Sequence, residues 1–145
     1  MNTFLTRNDI LELKDITTKE LRVPDTIPVW GGKGLYIKQL TRGMQDTYLK
    51  RQFGSLKMKQ EIAKKNRNVQ AQEMSAPDIY GHDAWLCVHA ICDMDGQLLF
   101  NEQDIQKLNE KSGEAIGWIA KEILEFSKMT EDVDALQQTE TDVKN

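Results

Sequence analysis

The sequence predicts an α+β fold: a mostly α-helical single domain with an N-terminal two-stranded β-ribbon and a disordered, acidic C-terminal tail. Three observations carry this. Two extended-type runs flank Gly31-Gly32-Lys33-Gly34 within residues 18–40, the pattern of an antiparallel hairpin. From Thr41 onward, apolar residues recur at spacings of three and four, as amphipathic helices require. After Met129 the apolar stripe ends, and Glu131 to Asn145 is polar and mostly acidic. The folded domain is therefore placed at 1–130 and a flexible polar tail at 131–145.

The elements follow in order. Thr6-Arg-Asn-Asp9 has the form of a capping box, opening a short helix from Arg7 to about Lys14 with Ile10, Leu11 and Leu13 as its apolar residues. Ile16 to Val23 suits a strand, and Pro24 and Pro28 bracket a stiff connection. In the second strand Leu35, Ile37 and Gln39 share one side, Tyr36 and Lys38 the other. Thr41 is the N-cap of a long helix to about Lys65, carrying Met44, Tyr48, Leu49, Phe53, Leu56, Met58 and Ile62, with Gly54-Ser55 as its weak point. Asn66 to Glu73 is polar, a helix end or a loop. Ser75-Ala-Pro-Asp78 is the next capping signal, for a helix to about Cys92 that is apolar almost all round and so reads as the buried centre. Asn101-Glu-Gln-Asp104 caps a short helix through Leu108, and Ser112 starts the last one, with Ile116, Ile119, Ala120, Ile123 and Leu124 in a stripe.

A length of 145 residues fits one domain with a core of its own. The formal net charge of -4 argues against a dedicated nucleic-acid binder, whose affinity comes from neutralising phosphates. No apolar run approaches the roughly 20 residues that span a bilayer, and MNTFLTRNDILELKD lacks the pattern of a signal peptide.

Each candidate for chemistry has a plainer reading. Cys92-Asp-Met-Asp-Gly-Gln-Leu-Leu-Phe100 resembles the start of a calcium loop. Counted from Asp93, however, glycine arrives too early and Leu98 takes a position next to the ligands. Asp95-Gly96 instead suits a two-residue tight turn that lays Leu98, Leu99 and Phe100 against the core. His82, Cys87, His89 and Cys92 do not form two close ligand pairs, so no zinc site is expected. On one helix Cys87 and Cys92 lie about 140° apart and read as reduced, buried thiols. The glycine cluster lacks phosphate-loop spacing, and nothing pairs a histidine with a nucleophile. Lys50, Arg51, Lys57, Lys59, Lys64, Lys65 and Arg67 are scattered around their helix and read as a solvated face, with contact to an acidic protein partner or to the chain's own acidic tail as the other option. No catalytic, cofactor-binding or metal-binding residue is assigned.

The order of four blocks resembles the tail assembly chaperones of long-tailed (siphovirus-type) bacteriophages. The blocks are TRNDILELKDI, VPDTIPVWGGKGLYIKQLT, DAWLCVHAICDMDGQLLF and NEQDIQKLNEKSGEAIGWIAKEILEFS. The resemblance spans roughly residues 5–129. It rests on Val23, Pro24, Trp30, Gly31, Gly32, Leu40 and Thr41, and on Asp95-Gly96 through Leu99-Phe100 to Asp104-Ile105 and Leu108. It implies a non-enzymatic protein of the host cytoplasm, absent from the mature virion. Such a protein coats the tape-measure protein, keeps it soluble and helps recruit tail-tube subunits, the last through a frameshifted longer form. A coating role requires self-association, and the charge and hydropathy above leave no nucleic acid and no membrane among the expected partners. Trp30, Leu35, Tyr36 and Ile37 of the ribbon are the candidate partner-binding residues, Trp30 being equally suited to closing the domain's own core. Met44, Met58 and Met74 offer an adaptable apolar surface, with core filling the expected fate of Met44. A structural tail completion or connector protein of the virion is the alternative. A nucleic-acid-binding regulator using the basic helix is a third reading.

Overall fold

The computed structural model describes residues 4–64 and 81–133, over 55–64 the helical backbone alone. The expected loop at Asn66–Glu73, the capping signal at Ser75–Asp78, Met74 and the tail beyond residue 133 lie outside the described residues. The architecture is mixed, as expected: helices α1 (Arg7–Glu12), α2 (Arg42–Lys64), α3 (His82–Ala90), α4 (Ile105–Asn109) and α5 (Gly113–Phe126), with strands β1 (Thr18–Arg22), β2 (Gly34–Lys38) and β3 (Ile91–Cys92).

The ribbon is present and antiparallel, with Leu21 opposite Leu35 and Lys19 opposite Ile37. It is not two-stranded. Ile91 and Cys92 leave the end of α3 and pair with Ile37 and Tyr36, giving a three-stranded sheet in the order β1-β2-β3. The sequence reading carried α3 on to Cys92. The helix instead ends at Ala90, where Ile91 takes an extended backbone with φ -70° and ψ 126°. Two residues are too few to show a period, so the switch is invisible locally.

Leu21, Leu35, Ile37 and Ile91 face the helices, and α3 lies against α5 beneath them. The centre is α3, whose Ala84, Trp85, Leu86, Cys87, Val88 and Ala90 are all buried. The stripe of α5 meets it through Ile116, Ile119, Ala120 and Ile123, with Met129 closing the end. Thr41 caps α2 through a 3.2 Å bond from the Met44 N–H, and α2 passes Gly54 without a break. Tyr48 is its buried anchor, Met44 and Leu49 are half-buried, and Phe53 faces out.

Capping boxes form at Thr6/Asp9 and at Asn101/Asp104, and the Ser112 hydroxyl caps α5. The end of α5 is tied to the strand–helix junction by the buried Ser127, whose hydroxyl accepts the Leu40 N–H at 3.0 Å. Gln45 donates to the carbonyls of Leu40 and Ser127 across the same joint. This clamp holds the sheet and the helices in a fixed relation, since a buried N–H left unpaired costs about 1–3 kcal/mol.

Candidate partner-binding surface

The connection from β1 to β2 is a folded loop rather than a simple turn. Gly32 donates to the Val23 carbonyl, Val23 to Lys33, and Gly31 to Ile27, closing residues 23–33 on themselves. Val23 and Ile27 are buried against Ala115 at the start of α5, so the tip is anchored to the helical layer. Gly31 is required by space: a Cβ there would lie 2.8 Å from the Asp25 carbonyl oxygen. The outer corner carries Val29 with φ 71°, a left-handed conformation that costs a β-branched residue roughly 1–2 kcal/mol. Val29 is 84% exposed, so the strained residue presents its isopropyl group to solvent.

The four candidate residues have different fates. Trp30 is half-buried and packs on both the main core and the Val23–Ile27–Ala115 cluster, so its ring is partly committed to the domain itself. Leu35 and Tyr36 are half-buried on opposite faces of β2. Ile37 is 0% exposed at the centre of the sheet and is a core residue of this chain. It sits on the middle strand, paired on both sides, which sequence alone could not show because β3 was hidden.

Larger apolar exposure lies elsewhere. Every residue from Phe4 to Glu20 is exposed, and α1 buries nothing. Phe4, Leu5, Ile10, Leu11, Leu13 and Ile16 therefore form an apolar arm ahead of β1. The sequence carried only part of the signal: a helix this short cannot stabilise itself and needs a surface to rest on, but its length does not say whether that surface belongs to the same chain. A second patch is the turn after β3. Leu98 and Leu99, expected to lie on the core, are exposed together with Met94, and only Phe100 turns inward. The cause is the turn geometry. Gly96, at φ 85°, is the residue of this turn in the left-handed region, and Asp93 N–H donates to Gln97 while Gly96 N–H donates to Asp93. This is a three-residue bulged loop rather than the expected two-residue turn, and it shifts the register of the side chains that follow.

The Asp93 carboxylate accepts the N–H groups of Asp95 at 2.8 Å and Gln97 at 3.0 Å. It works as a turn cap, the local role aspartate commonly fills. His89 Nε2 lies 3.2 Å from Glu102 Oε1, and its ring lies against Trp85 at a tilt of 47° with centroids 4.3 Å apart. Among the described residues no three His, Cys, Asp or Glu side chains come together as a metal-holding group. Arg51, from the basic run, lies over the Trp85 ring at 5.5 Å, a cation–π contact that uses one of those charges inside the fold.

Both cysteines are free and buried. Burial, then the charge of Asp83, pushes the Cys87 thiol up to about 12. Burial also raises Cys92, against a smaller lowering by Lys38. The Tyr48 phenol is raised to about 12 by burial and by Asp83, against a lowering by its bond from Gln52. These groups are protonated at neutral pH and are poor nucleophiles there. Neither thiol is expected to react with iodoacetamide at pH 8 until the chain unfolds. Cys87 ionises at 9.0 ordinarily and near 12 when folded, and Tyr48 at 10.0 and near 12. Between those values the unfolded chain has released protons that the folded chain holds, so stability falls as pH rises. Denaturation midpoints are expected to stay level up to about pH 9 and to drop from there toward pH 12.

Among the described residues no helix is long and apolar enough to cross a membrane. No protein-family model, no curated protein and no solved structure matches the chain.

Proposed function

We propose that the chain is a non-enzymatic tail assembly chaperone of a long-tailed phage. In this reading it binds the tape-measure protein in the host cytoplasm, keeps it soluble, helps recruit tail-tube subunits and is absent from the finished virion. The order of sequence blocks described above supports the family. The observation that carries the mode of action is the presence of two uncovered apolar stretches, the arm at Phe4–Ile16 and the turn at Met94, Leu98 and Leu99. A coating protein needs contacts of two kinds, one to its own copies and one to the client. Contiguous exposed apolar surface on a small domain marks such contacts. A client that is long and helical would offer an apolar stripe of its own to the 94–99 turn.

The test is co-expression with fragments of the tape-measure protein, followed by light scattering on what copurifies. A soluble complex with several copies per fragment is the expected result. Fragments that precipitate while this chain remains alone would remove the reading. Protein analysis of purified virions separates it from a tail completion or connector subunit, which would be found there.

A further inference from the structure

The free edge of the sheet is β1, and its outward groups can be assigned. Val23 N–H donates to Lys33, and Gln39 N–H donates to the Thr17 carbonyl. In an antiparallel pair, hydrogen-bonded and non-hydrogen-bonded residue pairs alternate. The odd-numbered residues 17, 19, 21 and 23 therefore spend their backbone groups on β2. Those of Thr18, Glu20 and Arg22 point outward, and no described residue pairs with them. The same three side chains lie on the face of the sheet away from the helices, and Arg22 Nη2 sits 2.8 Å from Glu20 Oε1. A strand edge with alternating open donors and acceptors is a template for another strand.

We propose that two copies of this chain join by antiparallel pairing of their β1 edges, with the twofold axis at Leu21, giving one continuous six-stranded sheet. A dyad perpendicular to the sheet keeps the helical layers on the same side, so it must pass through a residue position. Centred on Lys19, the register would set Lys19 against Lys19. Centred on Glu20, it would set Glu20 against Glu20. Centred on Leu21, it sets Glu20 opposite Arg22 of the second copy, twice, and Leu21 opposite Leu21 on the apolar face. Opposite charges directly across a strand pair stabilise it and like charges destabilise it. Glu20 and Arg22 are also outward-pointing backbone positions, so each cross pair exchanges both of its ladder bonds. Centred on Arg22 it would set Arg22 against Arg22, so the edge is complementary to itself at Leu21 and in neither neighbouring register.

The register also accounts for the arm. Residues before Thr18 continue β1 past Pro24 of the second copy, toward its loop tip. The arm's Leu13 and Ile16 are carried toward that tip, whose outer corner is the exposed and strained Val29. The edge, the arm and Val29 are each uncovered in one chain, and one symmetric contact covers all three, as an isologous interface does.

The experiment is light scattering on the full chain alone, with thermal unfolding as the control for folding. The wild-type chain is expected to have the mass of two copies. Glu20→Arg and Arg22→Glu each place like charges across the dyad and should weaken association roughly tenfold or more. The double variant Glu20→Arg/Arg22→Glu restores the opposite pairing and should restore the dimer. Glu20→Pro removes an outward N–H that the chain's own ladder does not use, so it should give a monomer that still unfolds cooperatively. Leu13→Asp should weaken the dimer as well. A wild-type monomer at high micromolar concentration would overturn the proposal. So would a dimer indifferent to Glu20→Pro and the charge swaps, and one indifferent to Leu13→Asp would remove the arm from the interface. The assay contains no client, so its failure leaves the tape-measure reading to the co-expression test.

Discussion

Ile37→Ala is expected to destabilise the protein by about 2–5 kcal/mol, the range for truncating a buried isoleucine to alanine. Ile37 is fully buried, pairs with Lys19 on one side and Ile91 on the other, and joins the sheet to the helical layer. Few sites offer less room for collapse, because backbone ladders hold both neighbours in place. The measurement is the urea midpoint by circular dichroism, with the slope checked for two-state behaviour. A loss below about 1 kcal/mol would mean that the sheet does not pack on α3 and α5 as described. The result also matters for interpretation. Ile37 was a candidate partner contact, and a variant that fails to bind because it is unfolded says nothing about a binding surface. Leu35→Ala and Tyr36→Ala, at half-buried positions, are the cleaner probes.

Trp85→Ala is expected to be at least as damaging, at about 3–5 kcal/mol. Trp85 is 2% exposed and forms the joint between α2 and α3. Its ring lies 6.0 Å from Tyr48 and 4.3 Å from His89 by centroid, and Arg51 covers it at 5.5 Å. Removing the indole opens a cavity that these neighbours cannot fill together. It also strips the guanidinium of its aromatic partner. Loss of cooperative thermal unfolding, or a large fall in the denaturant midpoint, checks this. A near-wild-type midpoint would show that α2 is not held through Trp85.

Much of this protein was legible in its sequence, and the legible parts share a cause. Thr6, Thr41, Asn101 and Ser112 announced helix starts because capping depends on atoms within three residues. The all-round apolar run of Ala84–Ala90 announced a buried helix, and the stripe of α5 announced its face. The alternation around Leu35 and Ile37 gave the correct two faces of β2. What failed to show was decided by strand pairing at long range and, in one case, by the type of a local turn. Leu98 and Leu99 look like core residues in composition, and the bulged loop closed by Asp93 and Gly96 turns them outward.

The candidate surface divides in the same way. Trp30 suited two fates by sequence, and its position between two apolar clusters shows that the fold itself takes up part of the ring. The arm was readable as a short helix. Its complete exposure was not, since nothing within Phe4–Ile16 states whether a partner surface lies elsewhere in the same chain. By itself the sequence determined the caps at Thr6, Thr41, Asn101 and Ser112, the hairpin and the buried centre, because each depends on neighbours along the chain, whereas it did not place the start of α3 after Gly81, which has no side-chain cap. Only the tertiary structure decided that Ile91 and Cys92 form a third strand, that Ile37 is enclosed and that β1 is the open edge. Those facts depend on pairing between residues more than fifty positions apart, such as Ile37 with Ile91, and no local pattern encodes which strand is left without a partner.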